Sequence, residues 1–389
     1  MNKSKKICFF KFSKLELAGG CENLMIENAN DLLKRYNDIE INFITIDLSD
    51  HWIFKLLMSV YYLKPYVEKK RESSIDIIEK LSKKIRYINF ESISELKNEL
   101  KKYDYIYSKN EILELIILNL FVGFKNIKKV ILSHHTTLYF NYCLSIQDHL
   151  HNFLYTGLIY KILVKNVYKH SVFTDQDKQI LVNKLGFKNV FKIIRPYKLE
   201  KYDIELTEGN TLDILFLGRM SKAKGLDILI KIIDGLNISN PEMCRFIIAG
   251  SGDKHYETII KNLALKYNNI NYLGYIDNSK IDTIYRKSDI VIMPSLYETT
   301  GAMIFEGAKY GVLPIISNLP GPKEYVIDGY NGFVCDLNDE EFISSIKKCY
   351  NLKINKPEVL KEMIDNNYNV IKLKNDSDVI YEQIYRIFS

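Results

Sequence analysis

The sequence lacks several features that define large classes of proteins. None of its six cysteines forms a C-x-x-C pair, which argues against structural zinc and for a reducing, cytoplasmic environment. No run of eighteen apolar residues is present, so we expect no membrane-spanning helix. The amino terminus has only a short apolar run before Lys11, too short for the core of a signal peptide. We also find no internal repeat and no low-complexity linker.

Size and charge indicate two different domains. A chain of 389 residues is too long for one core and suits two domains of about 150 to 200 residues. Residues 1–198 carry 32 Lys+Arg and 21 Asp+Glu, net +11, whereas the remainder carries 22 and 27, net −5. We therefore expect the first domain to face an anionic partner. A solvated, lysine-rich surface is the alternative interpretation.

Apolar runs that predict strands alternate with helical patterns along the whole chain. In the first half the predicted strands are residues 7–12, 41–46, 85–90, 105–107, 130–133 and 171–174. Such alternation predicts an α/β fold with a parallel sheet covered by helices on both faces. The second half repeats the plan. The predicted boundaries are 1–196 for the first domain, 197–374 for the second, and 375–389 for a final helix.

The first loop contains a double glycine, Gly19 and Gly20, between a strand and a helical pattern over residues 23–35. Without Cβ atoms the backbone approaches a ligand closely, and the amino end of a helix attracts anions. A plain tight turn is the alternative. The missing G-x-G-x-x-G pattern counts against a dinucleotide fold here.

Two histidines, His134 and His135, follow the predicted buried strand 130–133. A histidine at that place can hydrogen-bond a sugar hydroxyl or act near a phosphate, because neutral and charged forms are both accessible near pH 7. By position we favour His134 over His135. A structural histidine is the alternative.

Asp175 and Asp177 form a D-x-D pattern, a spacing that can hold a divalent cation between carboxylates and phosphates. Thr174 and Asp175 closely follow a strand and begin a helix, so capping of that helix is a sufficient explanation. We therefore predict no metal site.

The segment 51–71 interrupts the alternation. It combines apolar residues at helical spacing with several aromatic residues and ends in Lys69, Lys70 and Arg71. Such a segment can lie on an anionic membrane surface. A helix packed on the domain is the alternative.

Two loops of the second half carry glycines and cations. Gly218, Arg219 and Lys224 follow a predicted strand in the pattern G-R-x4-K-G. Arginine offers a fork to oxyanions and lysine a point charge, so together they can hold a diphosphate and stabilise it as it leaves. Gly250 closes the next strand, and Tyr275, after a further strand, is placed to contact a nucleotide base.

Residues 294–314 are the most informative stretch. They follow an apolar run, 289–293, that suits a strand buried on both faces. Thr299 and Thr300 are predicted to cap a helix over residues 301–310, at the sheet edge where ligands bind. Glu298 precedes this helix, and Glu306 lies about two turns further along it. Complementing the helix dipole is the alternative role for both glutamates.

The pattern Ser-Leu-Tyr-Glu-x-x-Gly, with a second glutamate at the eighth position and then Gly311 and Pro314, resembles the donor-site signature of the retaining family 4 glycosyltransferases. The G-R-x4-K-G segment matches the same family, as does Gly-Gly-x-Glu after the first strand. The resemblance implies the GT-B architecture, with two Rossmann-like parallel-sheet domains facing across a cleft. It also implies a last helix that crosses back to the first domain.

The resemblance further implies transfer of a sugar from a nucleoside diphosphate sugar, with UDP as the expected nucleotide, and retention at the anomeric carbon. Arg219 and Lys224 would bind the diphosphate, Glu298 the sugar hydroxyls, and His134 would line the sugar pocket. Gly301 would contact the phosphate through its N–H and Glu306 the ribose. No metal or other cofactor is required in that scheme. The remaining predicted donor-binding residues are Gly19, Gly20, Gly218, Gly250, Tyr275, Thr299 and Thr300.

One departure from the family pattern affects the donor. Thr299 and Thr300 replace the usual Gly-Phe, which changes the floor of the sugar pocket and leaves the donor sugar open. The expected acceptor is a bacterial surface glycan or a lipid-linked glycan at the inner face of the plasma membrane, and no nucleic-acid partner is expected. A non-catalytic GT-B subunit or chaperone, a nucleotide-sugar epimerase and a nicotinamide oxidoreductase are the alternatives.

Overall fold

The computed structural model describes residues 4–12, 20–47, 79–109, 115–116, 118–119, 123, 127–202 and 206–389. The chain forms two compact units. The first comprises Met1–Arg195 with Asp378–Ser389, and the second comprises Pro196–Ser377.

The first unit contains a seven-stranded sheet in which every pairing is parallel. The spatial order is β3-β2-β1-β4-β5-β6-β7. The strands are β1 (Lys5–Phe12), β2 (Ile39–Ile46), β3 (Arg86–Phe90), β4 (Tyr105–Lys109), β5 (Val130–His134), β6 (Lys169–Val172) and β7 (Val190–Lys192). All six predicted strands fall within two residues of these bounds, and β6 begins and ends two residues earlier than predicted.

Helices cover both faces of this sheet. They are α1 (Gly20–Arg35), α2 (Ile93–Leu100), α3 (Ile146–Thr156), α4 (Leu158–Val164), α5 (Asp175–Gln179), which continues into a π-helix (Ile180–Lys184), and α12 (Ser377–Arg386). Along β1 alternate side chains enter different cores: Phe9 joins the cluster that contains Ile380 and Ile384 of α12, whereas Phe10 joins the cluster on the opposite face. Burial on both faces explains the continuous apolar run of β1.

The second unit contains a six-stranded parallel sheet with the order β10-β9-β8-β11-β12-β13. The strands are β8 (Leu212–Leu217), β9 (Cys244–Ala249), β10 (Ile270–Gly274), β11 (Ile290–Met293), β12 (Leu313–Ser317) and β13 (Phe333–Cys335). The strand order reverses between β8 and β11. In open parallel sheets, ligands bind at the carboxyl edge beside such a switch point.

The helices of the second unit are α6 (Leu226–Ser239), α7 (Lys254–Lys266), α8 (Ile281–Tyr285), α9 (Ala302–Tyr310), α10 (Asp339–Asn355) and α11 (Pro357–Lys374). A buried ion pair ties α10 to the sheet, because Lys353 Nζ lies 2.7 Å from Asp289 Oδ2 and both side chains are almost fully buried. The same carboxylate accepts hydrogen bonds from the Asp213 and Thr207 amides. These bonds fix the starts of β8 and β11 side by side.

Some elements differ from the prediction. Helices α3 and α4 were not predicted, and the helix predicted to begin at Thr174 and Asp175 continues as a π-helix over Ile180–Lys184. The segment 51–71 lies outside the described residues. Within the described ranges, no helix has both the length and the apolar character needed to cross a membrane.

Candidate active site

The loop that follows β8 rests directly on the loop that follows β11. The Leu296 amide donates to the Ala223 carbonyl over 2.9 Å. Gly225 has φ +73°, and a Cβ atom at this position would lie 1.8 Å from the Pro294 carbonyl oxygen. Only glycine allows both this backbone conformation and this approach. The close approach brings the side chains of the two loops together.

Lys224 and Glu298, which are 74 positions apart in the sequence, form an ion pair between Nζ and Oε2. Their side chains retain 30% and 18% of their exposure, so both groups are open to a ligand. A pair this exposed contributes little to stability. The structure thus brings together two residues that the sequence analysis placed in one site.

Arg219 lies in the same loop, next to Gly218, and the backbone of Gly218 packs against that of Gly250. Gly250 has φ +133°, and a Cβ atom there would lie 1.8 Å from the Gly218 carbonyl oxygen. The Met220 amide donates to the Ser251 carbonyl over 3.1 Å. The Arg219 side chain is exposed and makes no ion pair with any residue that the structure describes. Its guanidinium is therefore available to an anion.

Helix α9 begins differently from the prediction. Gly301, with φ +80°, is the N-cap residue, and no side chain caps the first turn. The prediction that Thr299 or Thr300 caps the helix is therefore wrong. Thr300 is buried, and the Thr299 carbonyl packs against Gly321, where a Cβ atom would lie 1.6 Å from the carbonyl oxygen. An amino end without a side-chain cap is suited to an anionic ligand.

Glu306 lies on α9 and accepts a hydrogen bond from the Tyr285 hydroxyl over 2.8 Å. Burial and the neighbouring Glu306 charge raise the pKa of Tyr285 well above its usual value. The hydroxyl therefore keeps its proton and donates at neutral pH. The sequence analysis missed Tyr285, since an aromatic residue shortly before a strand carries no specific signal.

His134, the histidine preferred in the sequence analysis, lies in the interior of the first unit. Its side chain is completely buried, with Nε2 3.1 Å from Nδ1 of His170. Burial lowers the pKa of His134 well below its usual value. His135 is buried as well, so burial does not separate the two histidines, and the preference for His134 stays a prediction.

His135 has a charged environment. Burial and the nearby Lys109 charge lower the pKa of His135 to about 3, the Glu22 charge opposes this shift in part, and Arg195 adds to it. Glu22 forms ion pairs with Lys109 at 3.4 Å and with Lys11 at 3.7 Å. Glu22 is the acid of the Gly-Gly-x-Glu loop, so a cluster of charges accompanies that loop in the first unit.

Of three further predicted donor-binding residues, the structure describes Gly20 and Tyr275. Gly20 is the first residue of α1, whereas Gly19 lies outside the described residues. Tyr275 is 76% exposed and follows Gly274, which has φ +65°. The ring of Tyr275 is therefore open to a stacking partner.

The two aspartates of the D-x-D pattern have separate partners. Thr174 caps α5 by accepting from the Asp177 amide over 3.1 Å, which confirms the capping prediction. The buried Asp177 carboxylate accepts from the Leu138 amide over 2.7 Å, and Asp175 pairs with Lys192 at 2.7 Å. Among the described residues, no group of three or more metal-ligating side chains is arranged around a common point.

A basic cavity of about 530 Å³ lies at the opposite end of the second sheet. Its lining includes Arg245, Arg286 and Lys287, near the amino ends of β9 and β10 and just before β11. Arg245 is already engaged by Asp213 through two hydrogen bonds of 2.7 Å. None of the predicted site residues lines this cavity.

Comparisons with known proteins agree with the carboxyl-edge site. Residues 199–370 match the family model described as "Glycosyl transferases group 1". An uncharacterized glycosyltransferase of Haemophilus influenzae is 28% identical over 369 residues, covering 93% of this chain and 94% of that protein. A glycogen synthase of Clostridium beijerinckii is 33% identical over 206 residues, covering 50% of this chain and 42% of that protein. The chain spans about half the length of the first curated relatives it matches, 51% and 42%.

Among solved structures, Anabaena Alr3699/HepE in complex with UDP and glucose superposes with a TM-score of 0.68 at 17% identity, covering 98% of this chain and 99% of that one. At this identity the likeness establishes the fold. The predicted α/β class, with two Rossmann-like parallel-sheet domains as in GT-B glycosyltransferases, is confirmed. Together the comparisons support a glycosyltransferase of group 1 type.

Proposed function

We propose that the protein is a retaining hexosyltransferase that moves a sugar from a UDP-sugar to a surface glycan or a lipid-linked acceptor. The main support for this proposal is the ion pair between Lys224 and Glu298 at the carboxyl edge of the second sheet. Arg219 and the uncapped start of α9 belong to the same edge. Cations and a helix amino end suit a diphosphate, whereas a carboxylate suits sugar hydroxyls.

In this proposal Arg219 and Lys224 bind the diphosphate, and the Gly301 N–H adds a neutral donor. These groups stabilise the negative charge that develops on the leaving nucleotide when the bond to the anomeric carbon breaks. Glu298, held by Lys224, accepts hydrogen bonds from the donor sugar. Glu306 accepts hydrogen bonds from the ribose hydroxyls.

The remaining donor contacts are assigned by position. Gly218 and Gly250 let the backbone approach the donor, Tyr275 stacks on the base, and Thr299 and Thr300 form the floor of the sugar pocket. In the first unit His134 remains the predicted imidazole that contacts ligand, with His135 as the alternative. Gly19 and Gly20 remain predicted donor contacts. The solved complexes of HepE with UDP and glucose support UDP as the nucleotide.

Incubation with nucleotide sugars tests the donor part of the proposal. We expect the protein to release UDP from at least one UDP-sugar, more rapidly when a glycan acceptor is present. Because cations of the protein supply the neutralising charge, activity should persist in EDTA. Loss of activity in EDTA with recovery in Mn²⁺ would contradict metal independence. A donor that is bound but never cleaved would instead indicate a non-catalytic subunit, and interconversion of nucleotide sugars an epimerase.

The acceptor side is proposed from the first unit, which carries the net positive charge. The segment 51–71 lies outside the described residues, but α3 and α4 add a second candidate surface. Phe153, Leu158 and Ile162 are 67%, 71% and 62% exposed. Residues 149–174 contain three lysines and no acidic residue. Apolar and basic groups together suit an anionic bilayer at its cytoplasmic face.

Vesicle binding tests this membrane contact. We expect binding to vesicles that contain anionic lipid at low ionic strength, and weaker binding as salt rises, because charge attraction is screened within about 10 Å at 0.1 M salt. Replacing Lys69, Lys70 and Arg71 by glutamine, or Leu158 and Ile162 by serine, should reduce binding. Leu265→Ser is the matched control, since Leu265 is 85% exposed on the other unit. Equal binding to neutral and anionic vesicles, or no binding to either, would count against this membrane contact and leave a soluble anionic glycan as the preferred acceptor.

A further inference from the structure

Glu306 accepts a hydrogen bond from Tyr285, a residue that has no role in the proposed function. The Tyr285 hydroxyl donates to Glu306 Oε2 over 2.8 Å, and the Tyr285 side chain has no exposed surface. Tyr285 is the last residue of α8, and Glu306 lies in the middle of α9. A buried donor on one helix therefore fixes a partly exposed acceptor on the next.

Tyr285 is itself held in place by other rings. Its ring stacks on Tyr310, with centroids 5.5 Å apart and planes 12° apart. Tyr310 stacks in turn on Tyr202, at 5.1 Å and 13°. The Arg286 guanidinium lies 4.0 Å from the Tyr202 centroid. Offset stacks of this kind favour one ring orientation, so the hydroxyl at the end of the column has a defined direction.

The hydrogen bond from Tyr285 restricts the rotamers that the Glu306 carboxylate can adopt. A carboxylate on a helix surface samples several rotamers, and each bond it makes to a ligand costs rotational freedom. A hydrogen bond from a fixed donor to one oxygen removes that freedom before the ligand arrives. The position of the second oxygen is then restricted as well, because the carboxylate is rigid. Neighbouring ribose hydroxyls are donors that match such an acceptor.

We propose that Tyr285 is a positioning residue that orients Glu306 for the ribose of the nucleotide. This inference rests on the proposed function, in which Glu306 binds the ribose. It assigns to the Tyr285 hydroxyl a share of the discrimination that Glu306 makes between ribonucleotides and deoxyribonucleotides. Tyr285 does not touch the donor itself.

The experiment measures inhibition or binding constants for UDP and for its 2′-deoxy and 3′-deoxy analogues. The variants are Tyr285→Phe, which removes only the hydroxyl, Glu306→Ala, and the two combined. Tyr310→Phe is the matched control, because it removes a hydroxyl from the next ring of the same stack. The preference for UDP over each analogue is the readout, since a general loss of folding lowers all affinities together.

We expect the wild type to prefer UDP by about tenfold or more, as expected for hydrogen bonds to a charged group. Glu306→Ala should abolish this preference. Tyr285→Phe should reduce it by about three- to tenfold, with a smaller loss of affinity for the deoxy analogues, each of which keeps one ribose hydroxyl. The reduction should vanish in the Glu306→Ala background. Tyr310→Phe should keep the wild-type preference.

The outcomes separate the two claims. A wild type that binds UDP no better than its deoxy analogues, or an unchanged preference in Glu306→Ala, contradicts the role of Glu306 in the proposed function. A full preference in Tyr285→Phe, when Glu306→Ala has lost it, overturns the inference about Tyr285 alone. If Tyr285→Phe does not fold, 4-aminophenylalanine at position 285 keeps the ring with a weaker donor. An intermediate preference is then expected, and a full preference overturns the inference.

Discussion

Replacing Lys224 by alanine is expected to lower kcat/KM for the nucleotide sugar by about 100-fold or more. The ammonium lies in a loop held by Gly225 against the Pro294 carbonyl, so its position is fixed before the donor binds. Such a fixed cation is most effective on charge that develops in the transition state. Arg219→Ala should cause a loss of similar size for the same reason.

The same substitution should have little effect on stability. Lys224 and Glu298 are both partly exposed, so water can solvate the carboxylate when its partner is removed. The matched control is Lys222→Ala, two positions earlier on the same loop, where the nearest carboxylate is 3.9 Å away on Asp227. Steady-state kinetics combined with urea denaturation give both quantities. Unchanged kcat in Lys224→Ala would show that Lys224 does not take part in the reaction.

Gly225→Ala is expected to destabilise the second unit by about 3 kcal/mol or more. An alanine at φ +73° is strained, and its Cβ atom would lie 1.8 Å from the Pro294 carbonyl oxygen. Relief of this clash requires the loop after β8 to move away from the loop after β11. Since that movement separates Lys224 from Glu298, kcat/KM should also fall by about tenfold or more.

Gly329→Ala is the control for the backbone strain alone. Gly329 also has φ +73°, but a Cβ atom there meets nothing within 4 Å. We therefore expect a loss of only about 1 kcal/mol and wild-type kinetics. Denaturation midpoints of the two variants measured side by side isolate the cost of the clash. Equal midpoints would show that the two loops do not need to touch.

The strands were predictable because a strand buried on both faces needs a continuous run of apolar residues. The run 289–293 has no polar alternation after its first residue, and the observed strand β11 is buried at every position. The loops were predictable because glycines and cations stand at fixed spacings after such strands. The meeting of Lys224 with Glu298 then follows from parallel topology, since the carboxyl ends of β8 and β11 share one edge.

The sequence was least informative where neighbouring positions differ in the direction of their side chains or in backbone conformation. Successive residues at a strand end point in opposite directions, so sequence position alone did not separate His134 from His135. Threonine is a common N-cap residue, but the chain enters α9 with a positive φ that selects Gly301. Tyr285 was missed because its role depends on a contact between two helices, α8 and α9, which no local pattern records.

The central claim is that the nucleotide diphosphate binds at the carboxyl edge of the second sheet. A crystal structure of the protein with UDP tests this claim directly. We predict a diphosphate within about 3 Å of Arg219 and Lys224, with the ribose hydroxyls against Glu306. UDP bound instead in the basic cavity of Arg245, Arg286 and Lys287, at the opposite end of the sheet, would contradict it.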